Sequence, residues 1–199
     1  MSIGDRSYPL FRPPAEADSL IIRVAYGCPH NSCAFCGMYK KVQYQERDIN
    51  KVCAEIETLR GSELAYRRAF LADGDVLSID TKKIKHILSY LNKRVPGLAR
   101  VGTYANSRSI LKKSFEELVE LRGLKLSTAY LGLESGSATI LKKLNKKDTP
   151  EEAVDAANLL TKAGIKLSIM VLLGAGGVSI SEEHAIKSAE IINRMQPPL

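Results

Sequence analysis

Five times along the chain a short, mostly apolar run ends in a polar or glycine-containing turn and gives way to a segment of helical length. The runs are 20–26, 69–72, 100–106, 126–133 and 166–173. The first, Leu20-Ile21-Ile22-Arg23-Val24-Ala25-Tyr26, is partly β-branched and closed by Gly27, the pattern of a strand buried on both faces. A helix is expected at about 50–60, with Val52, Ile56 and Leu59 on one stripe and Gly61 as its stop. Another begins near Asp80 with Ile84, Ile87, Leu88 and Leu91 inward, and a third is opened by Ser114 and Glu117 as a capping box and closed by Gly123. Two helical segments follow the fourth run, the second announced by Thr149, Pro150 and Glu152, and a last helix carries Ala185, Ala189 and Ile192 on one face. Strands separated by connections of helical length imply an α/β fold with a parallel sheet and right-handed crossovers, either doubly wound or curled toward a barrel.

The chain has 199 residues, 45% of them hydrophobic, enough for one domain with a sizeable core. Residues 1–18, rich in proline and charge around Arg12-Pro13-Pro14, read as an extended lead-in, and 19–199 as the core domain. No apolar run approaches the roughly 20 residues that span a bilayer, so a soluble, cytoplasmic protein without a membrane partner is expected. The formal charge of +7 allows an acidic partner such as RNA, a phosphorylated substrate or an electron-donor protein, without indicating nucleic acid. Lys142, Lys143, Lys146 and Lys147 fall at helical spacing and read as a solvated helix face.

Cys28, Cys33 and Cys36 follow the first strand directly, in the spacing C-x4-C-x2-C. Three thiolates from one folded-back loop suit a soft metal centre, zinc or iron–sulfur. In the zinc reading Cys53 is the available fourth ligand, although it shares the apolar face of its helix with Ile49 and Ile56, where a lone cysteine is usually a small core residue. In the iron–sulfur reading the fourth position stays open, as metal chemistry requires. The remaining turns, Asp73–Asp75, Ala105-Asn106, Glu134–Ser137 and Gly174–Gly177, also follow strand ends. Each alone is an ordinary turn; a parallel barrel would gather all of them with the cysteines on its C-terminal rim, where such barrels keep their active sites.

With its cysteine loop and succession of rim motifs, the chain resembles the radical S-adenosylmethionine (radical SAM) superfamily over 19–195, with one residue more than that family's usual C-x3-C-x2-C. The segments Tyr8-Pro9-Leu10-Phe11-Arg12-Pro13-Pro14 and Cys36-Gly37-Met38-Tyr39-Lys40 resemble a poorly characterised iron–sulfur oxidoreductase-like branch. The resemblance implies a partial (β/α) barrel of five strand–helix units with the sixth strand missing, a C-terminally truncated core. It implies a [4Fe-4S] cluster on Cys28, Cys33 and Cys36, with S-adenosylmethionine on the open iron and Phe35 near its adenine. Asp73-Gly74-Asp75 would receive the methionyl ammonium, with Asp75 one carbon shorter than the family's glutamate. Asn106, Glu134 and Ser135 would meet the ribose and carboxylate ends, and Gly174 would let backbone pass close to the adenosyl group. The implied reaction is reductive cleavage of S-adenosylmethionine to methionine and a 5′-deoxyadenosyl radical that abstracts hydrogen from an unknown substrate, supplied with electrons by a low-potential donor protein. The alternatives are a zinc-stabilised basic nucleic-acid-binding domain and an inactive truncated relative. His30 reads as an exposed loop residue and His86 and His184 as helix residues away from the rim, while Tyr104 and Tyr130 precede rim motifs and face either the core or the substrate.

Overall fold

The computed structural model describes residues 2–3 and 8–197. Its main sheet holds β1 (Ser2–Ile3), β2 (Leu20–Arg23), β5 (Arg68–Ala72), β6 (Arg100–Ala105), β7 (Leu126–Glu134) and β8 (Lys166–Val171), parallel throughout and in the order β1-β2-β5-β6-β7-β8. The order is that of a partial barrel, with β1 and β8 as its outer strands. All five expected strand–helix units are present. An additional strand, β1, lies beside β2, where Ser2 and Ile3 pair with Ile21 and Ile22. A two-residue strand carries no periodicity, so nothing in the sequence marked it.

The crossovers are α1 (Ile49–Glu57), α2 (Thr81–Arg94), α3 (Ser107–Leu111) with α4 (Phe115–Gly123), and α5 (Ala138–Lys143) with α6 (Pro150–Lys162); α7 (Ser181–Met195) follows β8. The starts of several are chemically fixed. Ser114 with Glu117 and Thr149 with Glu152 form the two expected capping boxes, each hydroxyl accepting from the third helical N–H while the glutamate returns the bond. Asn106 caps α3 in the same way through Ser109, an element the sequence reading ran together with the end of the third strand. No helix among the described residues is long and apolar enough to cross a membrane.

Alternation along the strands divides the core into two layers. Leu20, Ile22, Ala69, Leu71, Val101, Ala129 and Leu131 pack with the helices in the larger one. Ile21, Phe70, Ala72, Tyr104, Tyr130 and Met170 make the smaller one on the opposite face, joined by Leu10 of the lead-in. There Phe70, Tyr104 and Tyr130 meet edge to face, with ring centroids 5.1–6.3 Å apart. Gly102 makes room for them, since a Cβ on it would come within 3.3 Å of Phe70 and 3.4 Å of Tyr130. Below the aromatics Glu16 is wholly buried; its carboxylate accepts from Tyr130 Oη at 2.6 Å and Arg100 at 2.8 Å, and from Ser19. The lead-in thus plugs the sheet's N-terminal end with a charge that is fully partnered, the condition for burying one.

The cysteine segment is an excursion from this scaffold. β3 (Ala25–Tyr26) pairs antiparallel with β4 (Gln45–Glu46), so the loop leaves and returns at one point of the rim.

Candidate cofactor site

A cavity of about 290 Å3 opens above the C-terminal strand ends. Cys28, Cys33 and Cys36 form one wall with Phe35, Met38 and Tyr39, and Gly74, Asp75, Asn106, Gly132, Glu134 and Met170 come from the ends of β5 to β8. Tyr104 and Tyr130 make its floor and His30 and Lys146 complete the lining. Of the residues singled out in the sequence, Phe35, Gly74, Asp75, Asn106, Glu134 and the three cysteines therefore meet in one place. Asp73, Ser135 and Gly174 are not among the lining residues.

The cysteine loop is held against the rest of the rim by backbone contacts. Ala34 N–H donates to Leu144 O at 2.8 Å, and the side-chain Nδ2 of Asn145 donates to Ser32 O at 2.9 Å. On the other side Gly74 lies so close that a Cβ would stand 2.5 Å from Gly27 O and 2.7 Å from Cys28 Cα. The three rim cysteines are half-buried and free of disulfides. Burial pushes the Cys28 thiol up to about 11 and raises that of Cys33 as well. Among the described residues no three His, Cys, Asp or Glu side chains are gathered as a single metal ion would require. Cys53 is buried on α1 beside Val52 and Ile56 and does not line the cavity, in keeping with its reading as a core residue.

The two aspartates beside Gly74 have different surroundings. Asp75 lines the cavity, yet it is buried; Ser109 Oγ donates to its Oδ1 at 2.7 Å, and Oδ2 has no hydrogen-bond partner among the described residues. Desolvation pushes its carboxyl up to about 7, against the opposing hydrogen bond from Ser109. Asp73 instead faces the protein: Arg23 Nε lies 3.2 Å from its Oδ2, and the Tyr8 hydroxyl donates to the same oxygen. Burial raises its carboxyl, with the Tyr8 hydrogen bond and the Arg23 charge pulling the other way.

Asn106 uses its Oδ1 to cap α3, accepting from Ser109 N–H at 2.9 Å, so the side chain that faces the cavity is oriented by the helix it starts. Glu134 has a left-handed backbone (φ 62°) at an irregularity in the β7–β8 register, and its carboxylate folds back over Gly132, a site a side chain there would fill. Its carboxyl is raised by burial and drawn back down by Lys146.

Three participants were not read from sequence as they are found. Lys146 is not part of a solvated helix face: α5 ends at Lys143, the left-handed Asn145 (φ 52°) turns the chain, and the Lys146 side chain is only 9% exposed, 3.5 Å from Asp148. His184 lies at the rim, not away from it. Its Nδ1 and the Ser135 hydroxyl are hydrogen-bonded at 2.9 Å and its Nε2 meets Leu172 O at 3.1 Å, which ties α7 to the ends of β7 and β8. Tyr39 lines the cavity while its hydroxyl accepts from Gly74 N–H at 3.3 Å. No local signal in the sequence marked the role of His184, because its partner Ser135 is 49 residues away.

Comparison with known proteins places this arrangement among relatives. Residues 22–189 match the model of the Radical SAM superfamily. The chain is 27% identical over 188 residues to a tRNA-2-methylthio-N(6)-dimethylallyladenosine synthase of Ehrlichia chaffeensis, covering 89% of this chain and 42% of that protein. It is 24% identical over 168 residues to the threonylcarbamoyladenosine tRNA methylthiotransferase MtaB of Bacillus subtilis, covering 81% of this chain and 37% of the relative. The chain thus spans about two fifths of the length of these curated relatives. Among solved structures, the radical S-adenosylmethionine methyltransferase TsrM of Kitasatospora setae, with cobalamin and a [4Fe-4S] cluster bound, superimposes with a TM-score of 0.71 at 18% identity, over 90% of this chain and 35% of that one.

Proposed function

The chain belongs to the radical SAM superfamily, and from that premise we propose that its rim cavity holds a [4Fe-4S] cluster and S-adenosylmethionine for reductive radical chemistry. The observation that carries the reading is the shared cavity: three free, half-buried thiols on one wall face carboxylate, amide and backbone groups from four strand ends. The residues fit that group. Soft sulfur donors come from one short loop, and no fourth thiol is among the lining residues described. When bound, such a cluster supplies the single electron that cleaves S-adenosylmethionine into methionine and a 5′-deoxyadenosyl radical, which takes hydrogen from a substrate.

The chain's own part is binding, orientation and exclusion of water. Cys28, Cys33 and Cys36 hold the iron. The Gly74 backbone and the Asp75 carboxylate receive the methionyl ammonium; the unpartnered Oδ2 of Asp75 is an acceptor awaiting a cation, which would also draw its raised carboxyl into the ionised form. Glu134 and the Asn106 amide serve the polar ribose and amino-acid ends, with Lys146 offering charge to a carboxylate. Phe35, 37% exposed, covers the adenine, and the Tyr104–Tyr130 floor keeps water from the reacting carbon. Ser135 acts through His184 by fixing α7, and Gly174 leaves the backbone beyond β8 free of side-chain bulk.

An acidic one-electron donor protein is the partner that the outer face of the cysteine loop fits. There Pro29 and His30 border a second cavity of about 270 Å3 flanked by Arg108, Lys112, Lys113 and Lys147, of which Arg108, Lys112 and Lys147 are exposed.

The test is a single-turnover assay without added substrate. Anaerobically reconstituted, dithionite-reduced protein incubated with S-adenosylmethionine is expected to release methionine and 5′-deoxyadenosine, and Cys33→Ala to release neither. Intact S-adenosylmethionine in the presence of a fully formed cluster overturns the reading.

A further inference from the structure

We propose that Tyr8 is a positioning residue: its side chain clamps the cysteine loop to the Asp73–Asp75 loop and so sets the distance between the cluster wall and the ammonium-binding wall of the cavity. The inference deepens the functional reading above and rests on it for what the two walls hold.

One phenol oxygen joins the two loops. Gly27 N–H, one residue before Cys28, donates to Tyr8 Oη at 2.8 Å, and the same hydroxyl donates its proton to Asp73 Oδ2. A phenol is the group this position needs, because a single atom must both accept from an amide and donate to a carboxylate. Arg23 holds the ring from beneath. Its guanidinium carbon lies 4.1 Å from the Tyr8 ring centroid, its Nη2 donates to Tyr8 O at 3.1 Å, and its Nε lies 3.2 Å from Asp73. The lead-in grips the far side of the loop too, since the Phe11 ring meets the Tyr39 ring edge-on at 5.6 Å, and Tyr39 Oη accepts from Gly74 N–H.

The need for such a clamp is visible in Gly74. The two loops approach until a Cβ there would lie 2.5 Å from Gly27 O and 2.7 Å from Cys28, and no direct hydrogen bond between Gly27 or Cys28 and the Asp73–Asp75 backbone accompanies that approach among the described residues. Tyr39 reaches Gly74 from the far side of the cysteine loop, and Tyr8 supplies the link at Gly27, beside Cys28, from outside. Asp73 therefore serves as the anchor of the loop, with its carboxylate turned to Tyr8 and Arg23, while Asp75 is the carboxylate of the cavity.

Tyr8→Phe removes the hydroxyl and keeps the ring over Arg23. Amide hydrogen exchange of the cofactor-free protein is the first readout, with peptides from α2 and α6 as internal controls and Tyr90→Phe, which removes a surface hydroxyl bonded to Glu57, as the control substitution. The expected result is exchange at least tenfold faster in 27–36 and 73–75, with α2 and α6 unchanged. On the reconstituted protein, Tyr8→Phe is expected to keep its iron content while the S-adenosylmethionine concentration that half-converts the cluster's paramagnetic signal rises about tenfold; Tyr90→Phe changes neither. Unchanged exchange in both loops overturns the clamp, and so does equal loosening of α2 and α6, which would make Tyr8 a general determinant of the fold. If the unsubstituted protein takes up no cluster, the functional reading fails, and the exchange experiment still decides the clamp.

Discussion

Asp75 and Asp73 stand two residues apart and are separated by chemistry that neither residue encodes. Their spacing around Gly74 was legible as an acceptor motif, but which carboxylate faces the cavity depends on Tyr8 and Arg23, distant in sequence. Asp75 carries a measurable consequence. Its carboxyl is raised to about 7, against roughly 3.9 in an unfolded chain, so the folded protein binds more protons than the unfolded one between those values. Asp75's contribution to the stability of the cofactor-free protein is therefore full below about pH 4 and is lost as pH rises through about 7, about 4 kcal/mol for this group alone. Urea denaturation at a series of pH values is expected to show that decline in the unsubstituted protein and a much flatter profile in Asp75→Asn. Parallel profiles would mean that Asp75 is not the group being kept protonated. The misreading of Lys146 belongs to the same scale, because a single left-handed residue, Asn145, moved it from an extrapolated helix face into the cavity wall.

Elements were the most readable part of the chain. The apolar runs and the two capping boxes carry their own physical signals, and they located β2, β5 to β8 and the long helices; the glycine stops were less exact, since α1 ends at Glu57, ahead of Gly61, and Gly123 is the last residue within α4. What was missed is short: β1 and the β3–β4 pair have two residues per strand, and α3 begins inside the turn that ends β6. One close approach, at Gly74, brings the turn after β5 against the cysteine loop after β3. Gly74→Ala forces these apart while leaving strands and helices their own contacts. Iron uptake on reconstitution is expected to fall at least fivefold with an unchanged far-ultraviolet circular dichroism spectrum. Native iron content in that variant would show that the loop spacing is unimportant to cluster binding.

At the scale of the molecule, the parallel sheet brings the chemically unremarkable ends of β5 to β8 to one rim beside the cysteine loop, and the cavity lies between them. That gathering was inferred from repetition of the strand–helix unit, whereas the lead-in's part in it was not: Glu16 plugs one end of the sheet and Tyr8 braces the other, both from a segment without regular periodicity. The basic surround of the cysteine loop and the net charge of +7 are the features on which the proposed acidic donor rests. The central claim is that Cys28, Cys33 and Cys36 hold a cluster with one iron left for S-adenosylmethionine. It is tested most directly by electron paramagnetic resonance of the anaerobically reconstituted, reduced protein with and without S-adenosylmethionine. The account predicts four irons per chain and a cluster signal that changes shape when S-adenosylmethionine is added; a signal indifferent to it, or zinc held by the same three cysteines, would contradict the account.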